Sequence, residues 1–368
     1  MKRRTQWIVI VIVVLILAAY GTYLQMQQPK EETIKIGAIL PLTGLYSENG
    51  QNSLRGYELA VGEINSKGGI NGKKIELVIE DHKGDDNVGA VNAYHSIQAK
   101  GVKIILGPNH SPTGLAVAPI ACQDKALLIS PSIGTKKFSP TCNTIFDVWP
   151  VDYANSKKLG EIVVRKGYKK ISILGSVQEW EKEQADAAKE GVLSENGNLA
   201  NFIITDNSPA IVNADITKII SSGTDAVIFT NYGYMDIYAR KLKEFGSDGD
   251  FFVVILDETR KDNAQGAFEN AIVISSYSPT QEFIEKFSRK YNTKPDFPAD
   301  TSYDAVMILA NSIKETNSTD PPVLSEYMLK IKNYAGASGN FSFTSSGDVT
   351  KEPIFQTVQN NTIVMYEG

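Results

Sequence analysis

The residues able to do chemistry are few. The chain of 368 residues holds three His and two Cys. No G-x-S-x-G elbow, no G-x-G-x-x-G after the first strand-like run and no H-E-x-x-H motif occurs. His82 and His95 lack ligand spacing and read as surface groups. GGINGKK (68–74) mimics a phosphate loop, yet three residues separate Gly68 from Gly72, and Lys74 stands where Ser or Thr is needed. It reads as a structural turn whose glycines permit positive φ. Little general-base or metal-ligand chemistry is therefore on offer, and recognition chemistry remains. PLTG (41–44) is a turn that sets Tyr46 and Asn49 at the edge of a cleft. GPNHSPT (107–113) brings Asn109, His110 and Ser111 to a helix start, where N–H groups attract anions. Ser111 reads as a ligand contact, with an N-cap as the competing reading, and His110 reads as wall, with a ligand contact as the competing reading.

These loops need elements to hold them. Strand-like runs alternate with helical patterns along the chain: IKIGAIL (34–40), KIELVIED (74–81), VKIILG (102–107) and ALLIS (126–130), then KISILG (170–175), NFIITD (201–206), AVIFT (226–230), FFVVIL (251–256) and AIVIS (271–275). Near-continuous apolar strands in repeated βα units imply parallel sheets covered on both faces. The fold class is α/β, with two similar lobes joined near 149–152 and 276–279 and a ligand cleft between them. The expected domains are 1–30 as leader and linker, 31–149 plus 277–330 as lobe one, and 150–276 plus 331–368 as lobe two.

Lys2, Arg3 and Arg4 precede an apolar run, and no charge follows until Lys30. This is a cleaved signal peptide or an uncleaved membrane anchor, and the anchor is preferred because 7–24 just spans a bilayer. The body then lies outside the cytoplasm, where a Cys122–Cys142 disulfide is expected. Net charge is −5, from 37 basic and 42 acidic residues, which disfavours nucleic acid as a partner.

The run IKIGAILPLTGLYSENGQNSLRGYELAVGEINSKGGINGKKIELVIEDHKGD (34–84), with ILGPNHSPT (105–113), LLISPS (127–132) and YDAV (303–306), resembles the leucine/isoleucine/valine-binding family of type I periplasmic binding proteins. The resemblance covers 34 to about 315. It implies a hinged solute-binding protein, not an enzyme, that delivers a small molecule to ABC permease subunits. An aliphatic or branched-chain amino acid, or an analogue, comes first as ligand. A tethered sensing domain of the same fold is the alternative.

The family's roles imply that Ser111 and Ser132 hold a ligand carboxylate. In SPSIGT (130–135), Gly134 stands where the family has Thr, and Thr135 follows one place later as substitute donor or as sign of an altered clamp. In lobe two the resemblance points to Tyr232 in TNYGY (230–234), to Asp257 or Glu258 in LDET (256–259) as acceptor of a ligand ammonium, and to Trp180 in GSVQEWEKE (175–183). Asp257 or Glu258 capping the next helix is the competing reading.

Overall fold

The computed structural model describes residues 32–84 and 87–367. The N-terminal segment, with its anchor and signal-peptide readings, lies outside the described residues. The first lobe begins with β1 (Thr33–Leu40), α1 (Ser47–Ser66), β2 (Lys74–Asp81), α2 (Asn87–Ala99), β3 (Ile104–Leu106), α3 (Ser111–Gln123), β4 (Leu127–Ser130) and β5 (Ile145–Asp147). The chain crosses to the second lobe for α4 (Tyr153–Arg165), β6 (Ile171–Ser176), α5 (Glu179–Ser194), β7 (Leu199–Thr205), α6 (Pro209–Ser221), β8 (Ala226–Phe229), α7 (Met235–Glu244), β9 (Asp250–Val254), α8 (Glu258–Asn263) and β10 (Ile272–Ser275). It returns for α9 (Gln281–Tyr291), α10 (Ala299–Thr316), α11 (Pro321–Met328), β11 (Tyr334–Gly336), β12 (Gly339–Phe343) and β13 (Val349–Thr350), and finishes with β14 (Ile354–Gln359) and β15 (Thr362–Met365).

The first sheet has the order β2-β1-β3-β4-β5, all parallel. Its residues alternate between two cores. Ile36, Ala38, Ile104, Leu106, Leu127 and Ile129 join α1 and α10 on one face. Ile39, Ile105 and Leu128 join α2 and α3 on the other. Burial on both faces is why these strands read as apolar runs rather than alternating ones. The second sheet has the order β15-β14-β10-β9-β8-β6-β7, parallel except for the antiparallel edge pair β14 and β15. The disulfide Cys122–Cys142 ties the end of α3 to the loop before β5, with Cα atoms 6.1 Å apart.

Two expectations change. Residues 331–350 were grouped with the second lobe, but Phe341, Phe343 and Val349 pack in the first lobe's core, with the Phe343 ring 5.4 Å from Phe146. Only β14 and β15 join the second sheet, so 351–353 forms a third crossing between the lobes. His82 is fully buried rather than superficial.

In both sheets the strand order reverses direction beside the first strand laid down, between β1 and β3 and between β6 and β8. Loops diverge there and open a crevice beyond the carboxyl ends of the strands. The two crevices face each other.

Candidate ligand-binding site

A small cavity of about 60 Å3 lies where the crevices meet. The first lobe supplies Tyr46 after β1, Asn109 and His110 between β3 and α3, Ser111 and Pro112 at the start of α3, and Ser132 and Ile133 after β4. The second supplies Gln178, Trp180 and Glu181 at the start of α5, Tyr232 after β8 and Ile255 after β9. Asp152, on the first crossing, and Phe297, just before α10, complete the wall.

The rings pack on one another. Tyr46 lies 4.1 Å from His110 and 6.3 Å from Tyr232, centroid to centroid. Trp180 and Phe297 meet Tyr232 edge-on at 6.4 and 6.3 Å, the geometry that aromatic quadrupoles favour. The lobes are held closed by direct bonds. Asn49 Nδ2 donates to Tyr232 Oη at 3.0 Å, Thr135 Oγ1 to Glu183 Oε2 at 2.6 Å and Lys137 Nζ to Glu179 Oε1 at 2.5 Å.

Several residues named from sequence lie outside the wall, each for a physical reason. Asp257 N-caps α8, accepting from Arg260 N at 2.7 Å. Its other oxygen takes the Arg260 guanidinium at 3.0 Å and the Tyr232 hydroxyl. Arg260 stacks 4.2 Å above the Tyr232 ring, so Asp257 is a buried structural anchor behind that ring. Burial alone would lower the Arg260 pKa, but Asp257 and Tyr232 outweigh it and hold the guanidinium charged. Glu258 points outward and pairs with Lys261 at 2.6 Å. Thr135, offered as the substitute hydroxyl, is directed to Glu183 across the lobe boundary. Asn49 also sits behind the wall, on Tyr232. Gly134 has φ +65°, and a Cβ there would lie 2.3 Å from Asp152 Oδ2, so the altered SPSIGT loop is matched to that carboxylate.

The loop that the resemblance gave to a ligand carboxylate already holds a carboxylate. Asp147 accepts from Gly134 N at 2.9 Å, Trp149 N at 3.2 Å and Ile133 N at 3.4 Å. Burial drives the Asp147 pKa well up, and these N–H groups oppose the rise. Ser132 N donates to Ser130 Oγ at 3.1 Å, Ser132 Oγ to Asn109 O at 2.9 Å, and Ser111 Oγ to Ile133 O at 2.9 Å.

Sequence reasoning missed Asp152, Glu181, Gln178, Ile255 and Phe297. Asp152 is 1% exposed and accepts the indole N–H groups of Trp149 at 2.9 Å and Trp180 at 3.0 Å. Burial raises its pKa to about 7 against those two bonds. Glu181 is 4% exposed, and its Oε1 accepts from Gly233 N at 2.9 Å. His110 is shifted well below the usual imidazole range, by burial first and then by His82 and Arg260, so the ring is neutral near pH 7. Ile255 takes φ +61°, a region β-branched residues avoid; nothing in its local sequence signals that. Among the described residues, no group of three His, Cys, Asp or Glu is placed to hold a metal.

A family model described as periplasmic binding protein matches residues 33–361. The chain belongs to the periplasmic binding protein family. It is 24% identical over 359 residues to the leucine-, isoleucine-, valine-, threonine- and alanine-binding protein of Pseudomonas aeruginosa, covering 95% of each chain. Among solved structures, the leucine-binding protein LivK of Thermotoga maritima superposes with a TM-score of 0.84 at 23% identity, over 91% of this chain and 98% of that one. The branched-chain amino acid transporter binding protein LivJ of Streptococcus pneumoniae, in complex with isoleucine, gives 0.82 at 25% identity, over 90% and 98%. The two-lobed α/β fold is shared throughout. These relatives are named as binding proteins.

Proposed function

We propose that the protein captures a small molecule between its lobes, outside the cytoplasm, and delivers it to an ABC-type permease. The observation that carries this is the aromatic cavity at the facing switch points, closed over by the Asn49–Tyr232 and Thr135–Glu183 bonds. A ligand inside such a cavity touches both lobes only when they are closed, so it has differential affinity for that state and shifts the population. The relatives' names favour an aliphatic amino acid as cargo. The engagement of Asp257, Asp147 and the SPSIGT loop within the protein speaks for a different ligand class. A thermal-shift screen of the full chain against amino acids, organic acids, amides and amines tests the reading, because a ligand bound only to the native state raises stability by mass action. Stabilisation by one chemical class supports it, and no stabilisation by any class refutes it. The apolar run at 7–24 keeps a second reading, a membrane-tethered sensing domain acting on a partner protein. Co-purification with permease subunits, or with a signalling partner instead, separates the two.

A further inference from the structure

We infer that the ligand is a small organic cation, an alkyl or aryl ammonium without a carboxylate. This rests on the solute-capture reading above and names the class of molecule captured.

The argument starts with charge. Two carboxylates, Asp152 and Glu181, reach the cavity wall, both almost fully buried. Among the described residues no Lys or Arg lines it, and His110 is neutral. Arg260 lies behind the Tyr232 ring and is matched by Asp257. A cation entering this apolar cavity favours the ionised form of both acids, Asp152 included although burial raises its pKa to about 7, and an anion opposes it. The walls add to the preference. Tyr46, Trp180, Tyr232 and Phe297 present π-systems, and an ammonium over such faces is attracted by the ring quadrupoles.

Anion capture is met by the opposite arrangement. The N–H groups of Ile133 and Gly134 already hold Asp147, and Ser132 N holds Ser130 Oγ. At the start of α3, Pro112 has no N–H to offer, and the Ser111 hydroxyl hydrogen is directed to Ile133 O. The position in lobe two expected to receive an ammonium, Asp257, is occupied by Arg260 from within the protein. Both halves of a zwitterion clamp are thus filled internally, while an aromatic cavity with acids at its edge remains.

The test is isothermal titration and thermal shift of the full chain with four probes: tetramethylammonium, benzylammonium, benzoate and leucine. Either cation is expected to bind and to raise the melting temperature, and Glu181→Gln and Asp152→Asn each weaken it at least tenfold, with far-UV circular dichroism unchanged. Benzoate and leucine are expected to leave the protein unaffected. Binding of leucine or benzoate without binding of either cation overturns the inference and leaves solute capture standing. Cation binding indifferent to both substitutions overturns the assignment of the two carboxylates. Silence from all four probes, together with silence in the wider screen, overturns the inference and the solute-capture reading alike.

Discussion

Removing Asp257 tests whether this carboxylate is an internal anchor or a ligand group. Asp257 and Arg260 are 3% and 4% exposed. In Asp257→Ala, the guanidinium loses its partner at 3.0 Å, α8 loses its N-cap and the Tyr232 hydroxyl loses its acceptor. Leaving a buried charge without its partner costs about 3–5 kcal/mol, and losing a cap costs about 1 kcal/mol. With the orphaned hydroxyl adding up to about 1 kcal/mol, the single variant is expected to lose about 4–7 kcal/mol. The double variant Asp257→Ala/Arg260→Leu removes the stranded charge and keeps an apolar side chain against Tyr232. It is expected to recover most of that loss, retaining roughly the 1–2 kcal/mol of the cap and the orphaned hydroxyl. Urea unfolding followed by tryptophan fluorescence reads both. With a slope of roughly 3 kcal/mol/M, the single variant shifts the midpoint by about 1–2 M. A single variant within 1 kcal/mol of the parent, or a double variant no more stable than the single, refutes the anchor role. Undiminished stability with abolished binding returns Asp257 to the ligand.

Two further outcomes follow from the site and its surroundings. Burial raises the pKa of Asp152 and Asp304 to about 7, and burial with repulsion from Asp257 raises Asp296 to about 8. The unfolded chain ionises these groups near pH 4, so between pH 6.5 and 8 the native state holds protons that the unfolded state has released. Stability then falls as pH rises, by about 3 kcal/mol for the three groups together. His110 opposes this only slightly, by roughly 0.4 kcal/mol, because it is neutral in the native state and about half charged at pH 6.5 in the unfolded chain. Urea midpoints at the two pH values measure the effect, and a midpoint that rises with pH contradicts it. Gly134→Ala adds a Cβ at φ +65° and 2.3 Å from Asp152 Oδ2; it is expected to cost roughly 1–3 kcal/mol and to weaken binding by displacing the acceptor of Trp180. Wild-type stability and affinity in that variant would mean the loop relaxes freely.

Much of the site was legible because strand-end loops carry their own signals. Helix starts are marked by Ser and Pro, and turns by Gly and Pro, so Tyr46, Asn109, His110 and Ser111 were named from local pattern, while Ser132, Tyr232 and Trp180 came from the family resemblance. Asp152 and Glu181 were not legible. An acid on a crossing, or in the first turn of a helix, is ordinarily a solvated group or a dipole partner, and only burial against two indoles or beneath Gly233 N–H gives it another character. The same holds for His82, whose sequence neighbours are charged and whose side chain is nonetheless enclosed.

Local residue order determined the elements, the parallel pairing and the two-lobe layout, because apolar period and turn chemistry act over a few residues and depend on nothing distant. The partners of each polar group were decided by the tertiary structure. Arg260 lies three residues from Asp257, but whether that carboxylate faces a guanidinium or a ligand depends on Tyr232, 25 residues away, and on Asn49 from the other lobe. Asp147 fills the SPSIGT loop because β5 runs beside β4. Residues 334–350 complete the first lobe's core because their aromatic side chains find apolar surface there. Electrostatic and hydrogen-bonding roles depend on distance in space and on exclusion of water, and packing alone decides both.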